Sequence, residues 1–176
     1  MTRVVLSIGS NLGDRVAHLQ SVLDALGDRV RAVSPVYQTA PWGGVEQGAF
    51  LNAVVIAEDP ELDGPSWLEL AHRVERTADR VRDLKWGPRT LDVDLVSVSD
   101  GATEVVSRSE ELTLPHPLAH LRAFVLVPWL AADPGAALTV AGRVRAVTQL
   151  LDDIDPAERA GVQPIDAVLH GPDAQA

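Results

Sequence analysis

Lys85-Trp86-Gly87-Pro88-Arg89-Thr90-Leu91-Asp92-Val93-Asp94-Leu95 is the stretch that decides how this chain folds. Gly87 and Pro88 end whatever precedes them. From Thr90 to Val98 apolar and polar residues then alternate, the pattern of a β-strand with one buried face. Leu91, Val93 and Leu95 point one way in such a strand, and Asp92 and Asp94 the other. Two residues along a strand span ~6.6 Å between Cα atoms. Carboxylates so spaced can converge on two metal ions ~3.5–4 Å apart, an arrangement of phosphoryl-transfer centres. Oxygen-only ligands select a hard ion, Mg2+, rather than zinc. A solvated strand face beside arginines has the same pattern, and the two acids alone do not choose between these readings. Arg89, in a rigid Gly-Pro setting, tips the balance toward the metal.

Upstream of this stretch, Asp63-Gly64-Pro65 opens a helix whose buried stripe is Trp67, Leu70, Ala71, Val74, Ala78 and Val81. Val4 to Ile8 is a strand ending in a Gly9-Ser10-Asn11 turn. Asp14 caps a helix through Val16, Leu19, Val22, Leu23 and Leu26, closed by Gly27. Val30 to Tyr37 and Phe50 to Ala57 are further strands, with a Gly-rich loop over residues 39–48 between them. Downstream, residues 104–114 suggest a short hairpin and 124–132 a helix interrupted or offset at Pro128. Val144, Val147, Leu150, Leu151 and Ile154 suggest a final short helix. Past Asp155 the pattern weakens, so residues 155–176 are expected to form a partly ordered tail, frayed over 171–176. Strands and helices mix without strict βαβ alternation, which favours an α+β sheet with helices packed on its faces, in one domain over residues 1–154.

The 176 residues are 46% hydrophobic, enough for a core, yet no apolar run approaches the ~20 residues of a membrane helix. There is no cysteine and no signal-peptide pattern, which makes a cytoplasmic protein without membrane association the expectation. A net charge of −10 argues against nucleic acid as a partner. Fourteen of the fifteen basic side chains are arginine, with Lys85 the lone lysine. Arg73, Arg76, Arg80, Arg82, Lys85 and Arg89 place six cations in seventeen residues. Guanidinium forks match phosphate oxygens, but the chain lacks a G-x-x-x-x-G-K-[ST] loop and the kinase signature set. Phe50, two residues before Asn52, and Phe124, two after Arg122, could hold a flat heterocycle while an amide reads its edge; as ordinary core residues they would look the same. His116 stands between two prolines.

Taken together, Ile8-Gly-Ser-Asn-Leu-Gly13, Arg80-Val-Arg82, Trp86-Gly-Pro-Arg-Thr-Leu-Asp-Val-Asp-Leu95, Leu112-Thr-Leu-Pro-His116 and Arg122-x-Phe124 resemble the 6-hydroxymethyl-7,8-dihydropterin pyrophosphokinase family, in its order, over residues 3–154. The resemblance implies a ferredoxin-like three-layer sandwich with a mostly antiparallel sheet. It implies transfer of the pyrophosphoryl group of ATP to the pterin hydroxymethyl, releasing AMP, with small molecules as partners; a monomer is the expectation, although no residue pattern reports on it. Asp92 and Asp94 would hold two Mg2+ ions, with Arg82 and Arg89 also catalytic. Glu75, Arg80, Arg82, Lys85, Trp86, Arg89, Thr113, His116 and Arg122 would contact ATP. Thr39, Pro41, Trp42, Phe50, Asn52 and Phe124 would form the pterin pocket. The chain departs from the family pattern at Ala40, Trp42, Phe50, Lys85 and Pro117, and is one residue short between Arg82 and Trp86.

Overall fold

The computed structural model describes residues 1–39, 49–79 and 90–171. Strands β1 (Thr2–Ser10), β2 (Val30–Val33), β3 (Tyr37–Thr39), β4 (Phe50–Asp59), β5 (Asp92–Asp100) and β6 (Thr103–Glu104) build its main sheet. A last strand, β11 (Gln163–Pro164), joins that sheet at the far edge. Strand order is β11-β3-β4-β1-β5-β6, with β2 also on β4, and every pairing is antiparallel. Helices α1 (Arg15–Leu26) and α2 (Gly64–Asp79) cover one face; α3 (Ala123–Ala132) and α4 (Val147–Asp152) cover part of the other. Two small hairpins, β7 (Ser107–Arg108) with β8 (Thr113–Leu114) and β9 (Ala137–Val140) with β10 (Arg143–Ala146), and a short α5 (Pro156–Ala160) complete the chain. This is the expected three-layer α+β sandwich.

Alternation along β1 explains the two faces. Val4, Leu6 and Ile8 pack with Leu19, Val22, Leu23 and Leu26 of α1 and with Trp67, Ala71, Val74 and Ala78 of α2. Val5 faces the other way, with Val54, Ile56 and Val96, onto Val125, Leu126 and Trp129 of α3. Both long helices start as the sequence suggests. The Asp14 carboxylate accepts from Ala17 N–H at 3.1 Å, and the Asp63 carboxylate from Ser66 N–H at 2.9 Å. Gly27 ends α1 at φ +58°, a conformation that glycine adopts without strain.

Four local expectations are corrected. The strand read over Val30–Tyr37 is two, because Pro35 has no N–H to donate. At the break, Ser34 N–H donates to the Val54 carbonyl and Val54 N–H to Ser34 Oγ, both at 2.9 Å. Residues 104–114 do not form one hairpin: Glu104 lies on β6 and only β7 and β8 pair. Helix α3 runs unbroken through Pro128, whose missing N–H forfeits only the bond to the Phe124 carbonyl. Val144 belongs to β10 and is exposed, and the following helix starts at Val147.

The segment after Asp155 adds α5 and β11 to the body and buries Val162 and Leu169. Ile165 N–H donates to the Val36 carbonyl, and His170 N–H to Gln20 Oε1. Of the stretch expected to fray, residues 172–176 lie outside the described residues.

Trp67 is the largest fully buried side chain. It is 1% exposed, and its indole N–H donates to Thr2 Oγ at 2.9 Å, tying α2 to the start of β1. Replacing it by alanine removes packing and leaves that hydroxyl short of a partner. Trp67→Ala is expected to lower unfolding free energy by about 3–5 kcal/mol. Urea denaturation with an unchanged m-value checks this, and Trp67→Phe should lose clearly less.

Candidate active site

The face that carries α3 is covered over only part of its length, and its polarity changes row by row along the strands. Ile56 and Val5 lie side by side beneath α3. In the next row Val54, Ser7 and Asp94 are neighbours across β4, β1 and β5; in the row after, Asn52, Gly9 and Asp92. Tyr37 extends that last row onto β3, and Thr39 pairs with Phe50 one step further out. The sheet thus runs from apolar to acidic within three rows. Asp92 is half-buried and Asp94 exposed, whereas Leu91, Val93 and Leu95 sit in the opposite core.

Gly9 separates the amide from the acids. A Cβ built there would lie 2.9 Å from Asn52 Oδ1, closer than carbon and oxygen tolerate. Asn52, only 5% exposed, donates from Nδ2 to Thr39 Oγ at 3.0 Å. Its orientation is therefore fixed from two sides. The structure brings Thr39, Phe50 and Asn52, three of the residues expected in the pterin pocket, together at adjoining ends of β3 and β4.

A β-bulge organises the acid-bearing side of the sheet. The β1–β5 register shifts between Val5 and Leu6, which pair with Ser97 and Leu95, so Val96 is the extra residue. The Val96 carbonyl accepts from His116 N–H at 2.9 Å and docks the His116 segment beside the acid-bearing strand. His116 Nδ1 accepts from Leu118 N–H at 3.1 Å, which leaves the ring proton on Nε2 as an outward donor. Burial pushes the His116 pKa down, the Arg122 guanidinium pushes it further down, and Asp94 pulls it up. Arg122 also lies over the Phe124 ring, 5.6 Å from its centroid, a cation–π contact at the start of α3. Asp94, His116, Arg122 and Phe124 are thus electrostatic or contact neighbours. Glu75 lies at the β5 edge, where its carboxylate accepts from Val93 N–H at 3.4 Å. Thr113 is exposed on β8 opposite Arg108. Pro41, Trp42, Arg80, Arg82, Lys85, Trp86 and Arg89, and the departure at Ala40, lie outside the described residues.

Sequence reading assigned no contact to the side chains of Asn11 and Arg15 in and after the turn that follows β1. Asn11 there is 5% exposed, with no hydrogen-bond partner for either amide atom among the described residues. Arg15, in the first turn of α1, donates from Nη1 to the Ala49 carbonyl at 2.6 Å, next to Phe50. The signal for both was present only as a Gly-Ser-Asn turn and a cap, which say nothing of what the side chains meet.

Two carboxylates on one open sheet face, beside a fixed amide and a half-buried ring, suit an all-oxygen magnesium site next to a heterocycle pocket. Mg2+ characteristically takes one or two carboxylates and fills its remaining positions with water and phosphate oxygens, so Asp92 and Asp94 fit it. The fold and the chemistry of these side chains are compatible with a small-molecule phosphotransfer class of enzyme. A family model for 7,8-dihydro-6-hydroxymethylpterin-pyrophosphokinase (HPPK) matches residues 5–134. The 2-amino-4-hydroxy-6-hydroxymethyldihydropteridine pyrophosphokinase of Mycobacterium leprae is 62% identical over 169 residues, covering 93% of this chain and 88% of that protein. Its Mycobacterium tuberculosis counterpart is 60% identical over 168 residues (93% and 89%), and that of Aquifex aeolicus 35% over 136 residues (76% and 82%). Among solved structures, Plasmodium falciparum HPPK-DHPS wild type with SDX-DHP superposes with TM-score 0.63 at 13% identity, over 86% of this chain and 43% of that one. That likeness carries the fold alone. The chain belongs to the 7,8-dihydro-6-hydroxymethylpterin-pyrophosphokinase family.

The electrostatic picture of His116 is open to direct titration. In metal-free protein its imidazole should titrate below the ordinary histidine value of about 6.5. Arg122→Ala should raise that midpoint and Asp94→Asn lower it, read from ring carbon–proton NMR shifts. Because the folded value is depressed, this histidine's share of stability is present above the unfolded pKa and is lost as pH falls through the folded one.

Proposed function

We propose that this chain catalyses its family's reaction, moving the β,γ-pyrophosphoryl unit of ATP to the hydroxymethyl oxygen of 6-hydroxymethyl-7,8-dihydropterin in folate biosynthesis. A new bond forms between the hydroxymethyl oxygen and the β-phosphorus. The bond from that phosphorus to the α,β-bridging oxygen breaks, AMP leaves with that oxygen, and the hydroxyl proton passes to solvent. The observation that carries this reading is the row Asn52–Gly9–Asp92 with Asp94 one row behind, in a chain 60% identical to named pyrophosphokinases. Asn52 and the two acids share one sheet face with a single strand between them, which supports an amide that reads the heterocycle beside acids that face the polyphosphate.

Asp92 and Asp94 are the proposed ligands of two Mg2+ ions. Bound there with ATP, magnesium supplies charge neutralisation for the triphosphate and acidifies the attacking hydroxyl. Thr39, Asn52, Phe50 and Phe124, with Pro41 and Trp42, hold the pterin. Asn52 reads its donor and acceptor edge, and the two phenylalanines are proposed to stack on the ring. His116 offers a neutral Nε2–H to a phosphate oxygen. Arg122 adds a fixed positive charge, and Arg80, Arg82, Lys85 and Arg89 are proposed to clamp the rest of the triphosphate. Glu75, Trp86 and Thr113 complete the nucleotide side. Little covalent work falls to the protein; its contribution is alignment and charge compensation. A cytoplasmic monomer is the proposed working form. Among the described residues no helix is long and apolar enough to cross a membrane.

Purified protein given Mg-ATP and the hydroxymethyl pterin should release AMP and the pterin diphosphate. Release of ADP instead would replace this reading with ordinary phosphoryl transfer. Asp94 is exposed, so Asp94→Ala should fold with stability within about 0.5 kcal/mol of the parent. Its turnover should fall by on the order of 10²–10³ or more. A variant of near-parental rate would remove Asp94 from the metal site.

A further inference from the structure

We infer that the Asn11 side-chain amide is a hydrogen-bonding contact for the pterin, an inference that rests on the activity proposed above. Asn11 is 5% exposed, and neither its Nδ2 nor its Oδ1 has a hydrogen-bond partner among the described residues. A buried amide left unpaired is costly, and native proteins rarely retain one. Among the described residues the other buried side-chain atoms without partners belong to Glu104, Trp129 and Arg159, on β6, in α3 and in α5; of these described groups only Asn11 adjoins the site.

Its position is set by the strand that ends just before it. Asn11 follows the last β1–β4 pair, Ser10 with Leu51, and lies two residues beyond Gly9, the neighbour of Asn52 and Asp92. The turn is held firmly. Ser10 Oγ lies 3.4 Å from His18 Nδ1, the Asp14 carboxylate caps α1, and Arg15 fastens the helix start to the Ala49 carbonyl, one residue from Phe50. The turn that carries Asn11 is thus fastened, through Arg15, next to the start of β4, the strand that carries Phe50 and Asn52.

The chemistry of the amide selects the ligand. It offers one donor group and one acceptor, both unpaired. Ionised phosphate oxygens only accept, so a triphosphate would leave Oδ1 without a partner. A pterin presents ring and exocyclic N–H donors together with ring nitrogen and carbonyl acceptors, and can satisfy both atoms at once.

Asn11→Leu, which replaces the amide with an apolar group of similar size, tests this, with Asn11→Ala beside it in case leucine does not pack. Calorimetry would titrate 6-hydroxymethylpterin and, separately, a non-hydrolysable ATP analogue with Mg2+, and thermal unfolding would be followed without ligand. The expected result is pterin affinity weaker by about tenfold or more, unchanged affinity for the ATP analogue, and a melting temperature equal to or above the parent's. A lower melting temperature with parental pterin affinity would overturn the inference, since the amide would then be bonded within the protein. Loss of ATP-analogue affinity alone would overturn it in favour of a phosphate contact. If the unmutated chain takes up no pterin even when loaded with the ATP analogue and Mg2+, the proposed activity itself fails and the inference with it, whereas pterin binding that ignores Asn11 leaves that activity standing.

Discussion

Everything at this site depends on the register of β1 between its two antiparallel neighbours. Gly9 pairs with Asn52 on one side and Asp92 on the other, and Ser7 pairs with Val54 and Asp94. Because strand side chains alternate, a slip of one residue in either pairing would turn acids or amide into the apolar core under α1 and α2. The register resists such a slip because Val4, Leu6, Ile8, Val93 and Leu95 are all buried in that core. The packing on one face thereby dictates the chemistry available on the other. Gly9 is the second part of the constraint, since a larger residue there would displace the Asn52 side chain.

The bulge at Val96 converts this strand ladder into a three-dimensional site. It lets Leu95 and Val98 point into one core while Val96 packs into the other, so both stay filled where α3 begins to cover the sheet. It also turns a carbonyl toward His116. The backbone irregularity thus brings a histidine and, through the following turn, Arg122 to an acid pair from a strand more than twenty residues earlier in the chain. Burial and Arg122 favour the neutral ring against the opposing pull of Asp94, so the histidine serves as a directed donor without adding a second full charge beside the guanidinium.

Local patterns in the sequence revealed what local physics controls. The alternation from Thr90 onward identified the strand and the face of its acids, and the caps at Asp14 and Asp63 marked helix starts that the structure reproduces. The bulge was invisible, because Leu95-Val96-Ser97-Val98 contains no glycine and its apolar residues satisfy two cores at once. Proline gave ambiguous signals. Pro35 splits a strand, whereas Pro128 leaves its helix intact because the single lost bond falls within a helix buried on several sides. The closeness of His116, Arg122 and Phe124 to Asp94 depends on long-range packing that no spacing rule encodes, and the family resemblance alone indicated it. The ordering of residues 156–171 was likewise hidden, since β11 pairs through its backbone and only Val162 and Leu169 of that segment are fully buried.

The two faces of the sheet divide stability from function. Apart from Tyr37, the site's side chains make small demands on the core: Asp92, Asp94, Phe50, His116, Arg122 and Phe124 are all exposed or half-buried. The strands that present them are held by the opposite face and by ladder hydrogen bonds from neighbours. Polar groups at the open end therefore add little to folding, and a substitution there can alter binding or turnover while the sandwich persists. Asn52 stands between the two roles, being buried like a core residue yet fully engaged only on one side through Thr39. The site does not tolerate a larger side chain at Gly9 or a shift in the pairing of β1, because either would move the amide and the acids together.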